Sequence, residues 1–315
     1  MQNKVVIGID TSNYTTSCAV CTLDGRVLES YKQLLPVKDG ENGLRQSDAV
    51  FSHVKNFQII SSRIKEKHAE YEIVAVGYSA YPRNAVDSYM PCFLVGKAVC
   101  EMISALYGIP AFQFSHQCGH IRAAIYSSGL GTNGSFVAFH VSGGTTEILL
   151  AKPNDLTGYE VEIIGGSEDL HAGQAIDRMG VKMGLKFPCG MEIERLALNN
   201  DQKVPSPKIC VKNTYCNMSG LENLATRLYE ETNNKSLVSA YIIQFLAKTI
   251  EKLTVNIRQQ YSDLPVLYAG GVMSNSIIKR YLLSKLDNIY FSAPEFSSDN
   301  AAGVALLTSE AFLKA

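Results

Sequence analysis

Two stretches of this chain are built alike, and that repetition constrains the fold more than any other feature. Lys4-Val-Val-Ile-Gly-Ile-Asp10 reads as a buried strand. The hydroxyl-rich turn Thr11-Ser12-Asn13-Tyr14-Thr15-Thr16 follows, then a second strand from Ser17 to Leu23 that runs into the hairpin signal Asp24-Gly25. Later in the chain, Phe136 to Val141 is again a strand, Ser142-Gly143-Gly144-Thr145-Thr146 again a small polar turn, and Glu147 to Lys152 again a strand. A repeated strand–turn–strand unit fixes the architecture before any single element does.

The remaining pattern alternates helix and strand. Residues 49–70 have helical period, with Val50, Val54, Phe57, Ile60 and Ile64 on one face. A strand over Val74–Ser79, a helix over 93–107 and a strand over 110–114 complete the first half. In the second half a helix over 236–260 carries the stripe Ile242, Leu246, Ile250, Leu253 and Ile257, which we assign to the core. Pro265 to Ala269 is a strand ending in Gly270-Gly271, with a helix starting near Ser274-Asn275. A strand over Ile289–Ser292 precedes a last helix at 300–313, and residues 199–216 read as a long loop. This is an α/β chain.

At 315 residues and 46% hydrophobic, the chain is long enough for two domains or one large one. With 29 basic and 30 acidic residues it lacks the strong positive charge of a protein that grips nucleic acid unaided. Cys18-x-x-Cys21 has no second pair to complete a zinc site, so the eight cysteines read as mostly buried reduced thiols in a cytoplasmic protein. The N-terminus runs straight into a strand without signal-peptide character. No apolar run has the length of a membrane span.

Four features could carry chemistry. His116 and His120, four apart, lie on one helix face and can reach a single metal ion; the other reading is one capping histidine and one satisfied in the core. Asp299, in Ser298-Asp299-Asn300-Ala301-Ala302, is either a helix N-cap or a carboxylate ligand. Combined with the histidines it makes a two-histidine, one-carboxylate set with coordination positions left open for a substrate oxygen. Finally, the turns at Thr11-Ser12 and Ser142–Thr146, with Ala269-Gly270-Gly271-Val272, place glycines and hydroxyls where a nucleotide's phosphates can approach the backbone. Asp177 can accept from a ribose hydroxyl or be an exposed helical carboxylate.

These residues together resemble the tRNA threonylcarbamoyladenosine transferases, a family once described as O-sialoglycoprotein endopeptidases or M22 peptidases. The matching runs are Ile7-Gly-Ile-Asp-Thr-Ser12, His116-Gln-Cys-Gly-His120, Val141-Ser-Gly-Gly144, Ala172-Gly-Gln-Ala-Ile-Asp177, Phe187-Pro-Cys-Gly190, Ser219-Gly-Leu221, Ala269-Gly-Gly-Val-Met-Ser-Asn275 and Asp299-Asn-Ala-Ala302. The resemblance implies the actin-like ATPase (RNase H-like) fold, with two related lobes around a nucleotide cleft. It implies an N-terminal lobe over 1–130, on which the helix at 300–315 packs, and a C-terminal lobe over 131–299. His116, His120 and Asp299 would hold one divalent ion, iron or zinc. His140, Val141, Ser142, Gly143, Gly144, Asp177, Gly190 and Asn275 would contact an adenylate, threonylcarbamoyl-AMP or ATP, and Thr11 and Ser12 are first-turn candidates. The implied reaction moves a threonylcarbamoyl group to N6 of the adenosine beside the tRNA anticodon, with partner proteins of that pathway. The absence of a Ser–His–Asp or Cys–His set weighs against peptidase chemistry.

The chain departs from the family pattern around the implied cleft. The acids expected after Thr-Ser are replaced by Asn13-Tyr14-Thr15-Thr16, and the histidine expected after Gly143-Gly144 is Thr145. The cation expected after Ser219-Gly-Leu is Glu222, and Tyr81-Pro-Arg-Asn-Ala-Val-Asp-Ser-Tyr-Met-Pro91 replaces a Gly-Pro-Gly approach. This pattern suggests a divergent paralogue that keeps the metal and the adenylate. Two alternatives accompany it: a carbamoyltransferase or ATPase of the same fold acting on a small molecule, and a non-catalytic paralogue that pairs with a true family member as a heterodimer.

Overall fold

The computed structural model describes residues 3–36, 44–66, 70–131, 134–297 and 301–315. The chain divides into two compact units, one formed by Met1–Ser127, Pro153–Glu160 and Glu295–Ala315, the other by Ser128–Lys152 and Val161–Pro294.

The first unit is built on a five-stranded sheet. Its strands are β1 (Asn3–Thr11), β2 (Thr15–Thr22), β3 (Val27–Leu34), β4 (Tyr71–Tyr81) and β5 (Ala111–Ser115), in the spatial order β3-β2-β1-β4-β5. β1 pairs antiparallel with β2 and parallel with β4, and β5 continues the parallel side. Helices α1 (Gln46–Lys65), α2 (Phe93–Tyr107), α3 (His116–Ser128) and α9 (Ala302–Lys314) pack in this unit. α9 lies directly on β1 because both faces of the contact are small. At Gly8 a Cβ would run into the backbone nitrogen of Ala305, and the neighbouring Ala301, Ala302 and Ala305 are fully buried.

The second sheet has the order β12-β11-β6-β7-β8-β10-β9. Its strands are β6 (Phe136–Val141), β7 (Thr146–Asn154), β8 (Gly158–Ser167), β9 (Cys210–Lys212), β10 (Tyr215–Asn217), β11 (Val266–Ala269) and β12 (Ile289–Phe291). β6 pairs antiparallel with β7 and parallel with β11, which pairs parallel with β12. The repeat read from the sequence therefore extends to topology: β8-β7-β6-β11-β12 repeats β3-β2-β1-β4-β5. The helices here are α4 (Ala172–Lys182), α5 (Gly190–Leu198), α6 (Ser219–Thr232), α7 (Lys235–Arg258) and α8 (Ser276–Leu283). α7 buries the predicted stripe in the core of this unit, beside Phe139, Tyr268 and Met179.

Two expectations are corrected. On α1 the most buried residues are Ala49, His53, Asn56 and Ile60, while Val54 is 54% exposed. The apolar period misplaced this face because two of its inward residues are polar: His53 Nδ1 and Asn56 Nδ2 both meet Thr16 Oγ1 on β2, at 2.8 and 3.0 Å. Within the expected loop 199–216, β9 and the start of β10 form a short antiparallel hairpin, turned at Asn213 with φ +53°. All eight cysteines are unpaired thiols, and only Cys210 is exposed. Among the described residues no helix is long and apolar enough to cross a membrane.

Candidate active site

In the first unit, the C-terminal ends of three neighbouring parallel strands deliver three polar side chains. β1 brings Asp10, β4 brings Ser79, and β5 leads straight into His116, the first residue of α3. Asp10 Oδ2 lies 2.6 Å from His116 Nδ1 and accepts from Ser79 Oγ at 2.8 Å. One helical turn on, His120 turns its Nε2 to within 2.9 Å of His116 Nε2. The two rings stand edge to face at a centroid distance of 4.3 Å, and Phe93 packs 5.8 Å from His116. The two rings are thus in direct contact with each other. Two nitrogens bound to one ion at ~2.0–2.1 Å each stand about 3 Å apart, so this donor pair fits a shared metal. Asp299 lies outside the described residues. α9, which follows that segment, touches α3 backbone to backbone: a Cβ at Gly303 would collide with the carbonyl oxygen of Gly119.

Thr11 and Ser12 are both buried, and their hydroxyls are engaged within the unit. Thr11 Oγ1 donates to the Cys92 carbonyl at 2.9 Å, and Ser12 Oγ donates to Thr15 O at 3.4 Å.

In the second unit the structure brings two predicted glycine turns together at the end of β6, beside the start of α4. Ser142 to Thr145 closes through a 2.8 Å bond from the Ser142 N–H to Thr145 O. α4 begins against this turn: the Gly173 N–H donates to Ser142 O, and a Cβ on Gly173 would stand 2.6 Å from Gly143 Cα. Gly270, at φ +101°, leaves no room for a Cβ against Val141 O. Gly143 and Gly144 are exposed, with open space where their side chains would be. This is backbone laid bare by close glycine packing, as an anion-binding turn requires.

The other predicted residues lie on surrounding elements. His140 sits on β6 in register with Glu147 and Ala269. Asp177 Oδ1 accepts from the Cys189 N–H at 2.7 Å, and burial raises its carboxyl pKa. Gly190 opens α5. Asn275 caps α8, accepting from the Ile277 and Ile278 N–H groups. Glu194 ties α5 to α8 by accepting from both N–H and Oγ of Ser276, at 2.7 and 2.6 Å.

Sequence reasoning missed Asp10, Ser79 and Asp169. The signal for Asp10 was an acid at the end of an otherwise apolar strand. Asp169 accepts from the backbone N–H groups of Leu170, Met218 and Ser219, pinning the start of α6. Glu222, the anion that replaces the expected cation, pairs with Arg178 at 3.2 Å.

Comparisons with known proteins identify the family of the chain. The family model described as tRNA N6-adenosine threonylcarbamoyltransferase matches residues 89–306. Proteins of that name from Thermosipho africanus and Streptococcus suis are each 26% identical to this chain. They align over 96% and 97% of it, respectively, and over 92% of their own lengths. Among solved structures, HypF from T. kodakarensis superposes with a TM-score of 0.60 at 12% identity, over 99% of this chain and 48% of its own. Component A of (R)-2-hydroxyglutaryl-CoA dehydratase from Acidaminococcus fermentans superposes with a TM-score of 0.55 at 16% identity, over 97% and 98%. These likenesses identify the actin-like ATPase fold and nothing finer.

Proposed function

The chain belongs to the tRNA N6-adenosine threonylcarbamoyltransferase family and is a transferase, and we propose that it moves a threonylcarbamoyl group from threonylcarbamoyl-AMP to N6 of the adenosine beside the tRNA anticodon. The observation that supports a working site is the meeting of His116 and His120 through their Nε2 atoms. A divergent chain with no use for these side chains has no reason to keep two imidazoles facing each other at the edge of a sheet.

We assign His116 and His120 to a divalent ion, iron or zinc, with Asp299 as the candidate third ligand. When bound, the ion supplies a Lewis acid for charge developing on a carbamoyl or phosphate oxygen. The other tasks fall to the chain. The exposed backbone of Gly143 and Gly144, flanked by Gly173 and Gly270, is where we place the phosphate. Asp177 retains its Oδ2 for a ribose hydroxyl, and its raised pKa suits a carboxyl close to an anion. Threonylcarbamoyl-AMP is already activated, so the remaining work is to hold the acceptor amine against the carbonyl. The near-neutral net charge leaves much of the RNA contact to partner proteins.

The test is transfer from threonylcarbamoyl-AMP to unmodified tRNA, with the pathway's partner proteins added, read by nucleoside analysis and by metal content. Transfer that falls at least a hundredfold in His116→Ala supports the proposal. A protein that binds metal and an adenylate but modifies no tRNA would overturn the tRNA assignment and favour a small-molecule acceptor.

A further inference from the structure

The geometry points to Asp10 as the positioning residue of the histidine pair, the group that decides which nitrogen of His116 carries the proton. This rests on the reading that His116 and His120 hold a metal ion. Asp10 is 1% exposed, and its Oδ2 faces two partners, Ser79 Oγ and His116 Nδ1. An ionised carboxylate only accepts hydrogen bonds, so the proton on this 2.6 Å contact belongs to Nδ1. With Nδ1 engaged by Asp10, Nε2 is the nitrogen left to offer a lone pair to a ligand, and it is the atom that faces His120. Without the carboxylate the opposite tautomer becomes accessible, and an N–H points where a ligand lone pair is needed.

The placement is set by the sheet rather than by a loop. Asp10 follows Ile9, which is in register with Tyr78 on β4, the residue before Ser79. β5, whose end becomes α3, pairs with the far side of β4. Adjacent strands thus lock the Ser79–Asp10–His116 chain, and Ser79 limits rotation of the carboxylate. Asp10 Oδ1, by contrast, is buried with no hydrogen-bond partner among the described residues. A buried carboxylate oxygen left unpartnered is unfavourable, so stability alone gives no reason for an acid here. A role that needs a full acceptor beside His116 does.

Two measurements on the full chain test this, with wild type, Asp10→Asn and Ser79→Ala. The first is affinity for zinc(II) and, anaerobically, iron(II), by competition with a chromophoric chelator. The second is the tautomer of His116 in metal-free protein, from long-range nitrogen–proton NMR correlations. We expect wild type to carry the proton on Nδ1. Asp10→Asn should move population to the Nε2–H form and weaken metal binding by about 10–100-fold, the usual effect of removing such a partner. Ser79→Ala should show a smaller loss in the same direction, and it keeps the test open if Asp10→Asn does not fold. Unchanged metal affinity in a folded Asp10→Asn, or a wild-type His116 protonated on Nε2, overturns the assignment. If wild type binds neither metal, the metal reading falls, and the tautomer measurement still judges Asp10 by itself.

Discussion

Acidification from pH 7 to pH 4 is expected to weaken this fold by about 3 kcal/mol through one side chain, His53. The ring is fully buried on α1, with Nδ1 2.8 Å from Thr16 Oγ1. Burial pushes the imidazole from its ordinary 6.5 to about 4, against weaker upward pulls from the Ser12 backbone and the charge of Asp10. Between those values the unfolded chain holds a proton that the folded chain does not, so stability rises with pH across the window. The penalty is absent above 6.5 and complete below about 4. At 1.36 kcal/mol per unit, a displacement of this size gives the figure above. Carboxylates titrate in the same range, so the quantity to measure is the difference between wild type and His53→Gln, whose amide can still take the Thr16 hydroxyl. Urea unfolding at steps from pH 7 to pH 4 should show the variant less stable at neutral pH and the gap shrinking by about 3 kcal/mol toward pH 4. The His53 C2 proton should titrate far below 6.5. Parallel stability curves, or a midpoint near 6.5, would refute the reasoning.

Two further outcomes can be checked. Gly303→Ala forces a methyl onto the Gly119 carbonyl, which should cost about 1–3 kcal/mol and lower Tm by about 2–12 °C; because Gly119 lies between the two histidines, bound metal after equilibrium dialysis should fall as well. Asp169→Ala releases three backbone N–H groups and should lose about 1–2 kcal/mol in chemical denaturation. Partial burial alone would raise this carboxyl, but hydrogen bonds from Ser219, Met218 and Leu170 hold it well below the usual carboxylate range. Its contribution is therefore present at neutral pH and lost only as pH falls through that lowered value.

How much of this was legible in the sequence depended on the range of the interaction involved. Glycine turns are local demands: Gly270 must adopt a positive φ and approach Val141, and a strand followed by Gly-Gly announces such a place. The repeat was equally legible, because an antiparallel hairpin and a parallel neighbour each leave their own pattern in a strand. The buried face of α1 was not, because His53 and Asn56 are inward only by virtue of Thr16, some forty residues away. Asp10 and His116 are 106 residues apart, and no local pattern can report that pairing. It became visible only once the order β1-β4-β5 put the three strand ends side by side.

The departures from the family pattern, which in the sequence suggest a divergent paralogue, are matched by local partners in the structure. Glu222 stands where a cation was expected, yet it faces Arg178, so the exchange is matched across α4 and α6. The segment Tyr81–Pro91 looks like the loss of a glycine approach, yet its Pro82 carbonyl accepts from the Gln117 N–H in the first turn of α3. Asn84 Nδ2 donates to the Tyr159 carbonyl at 3.0 Å and lies 3.3 Å from Cys118 Sγ. A segment bonded this way braces the helix that carries the histidines, which a decaying site would not require. The bonds from Pro82 and Asn84 therefore support the helix that carries His116 and His120. Replacing Tyr81–Pro91 with Gly-Pro-Gly removes these bonds and should lower bound metal after equilibrium dialysis; unchanged metal content would refute the bracing role.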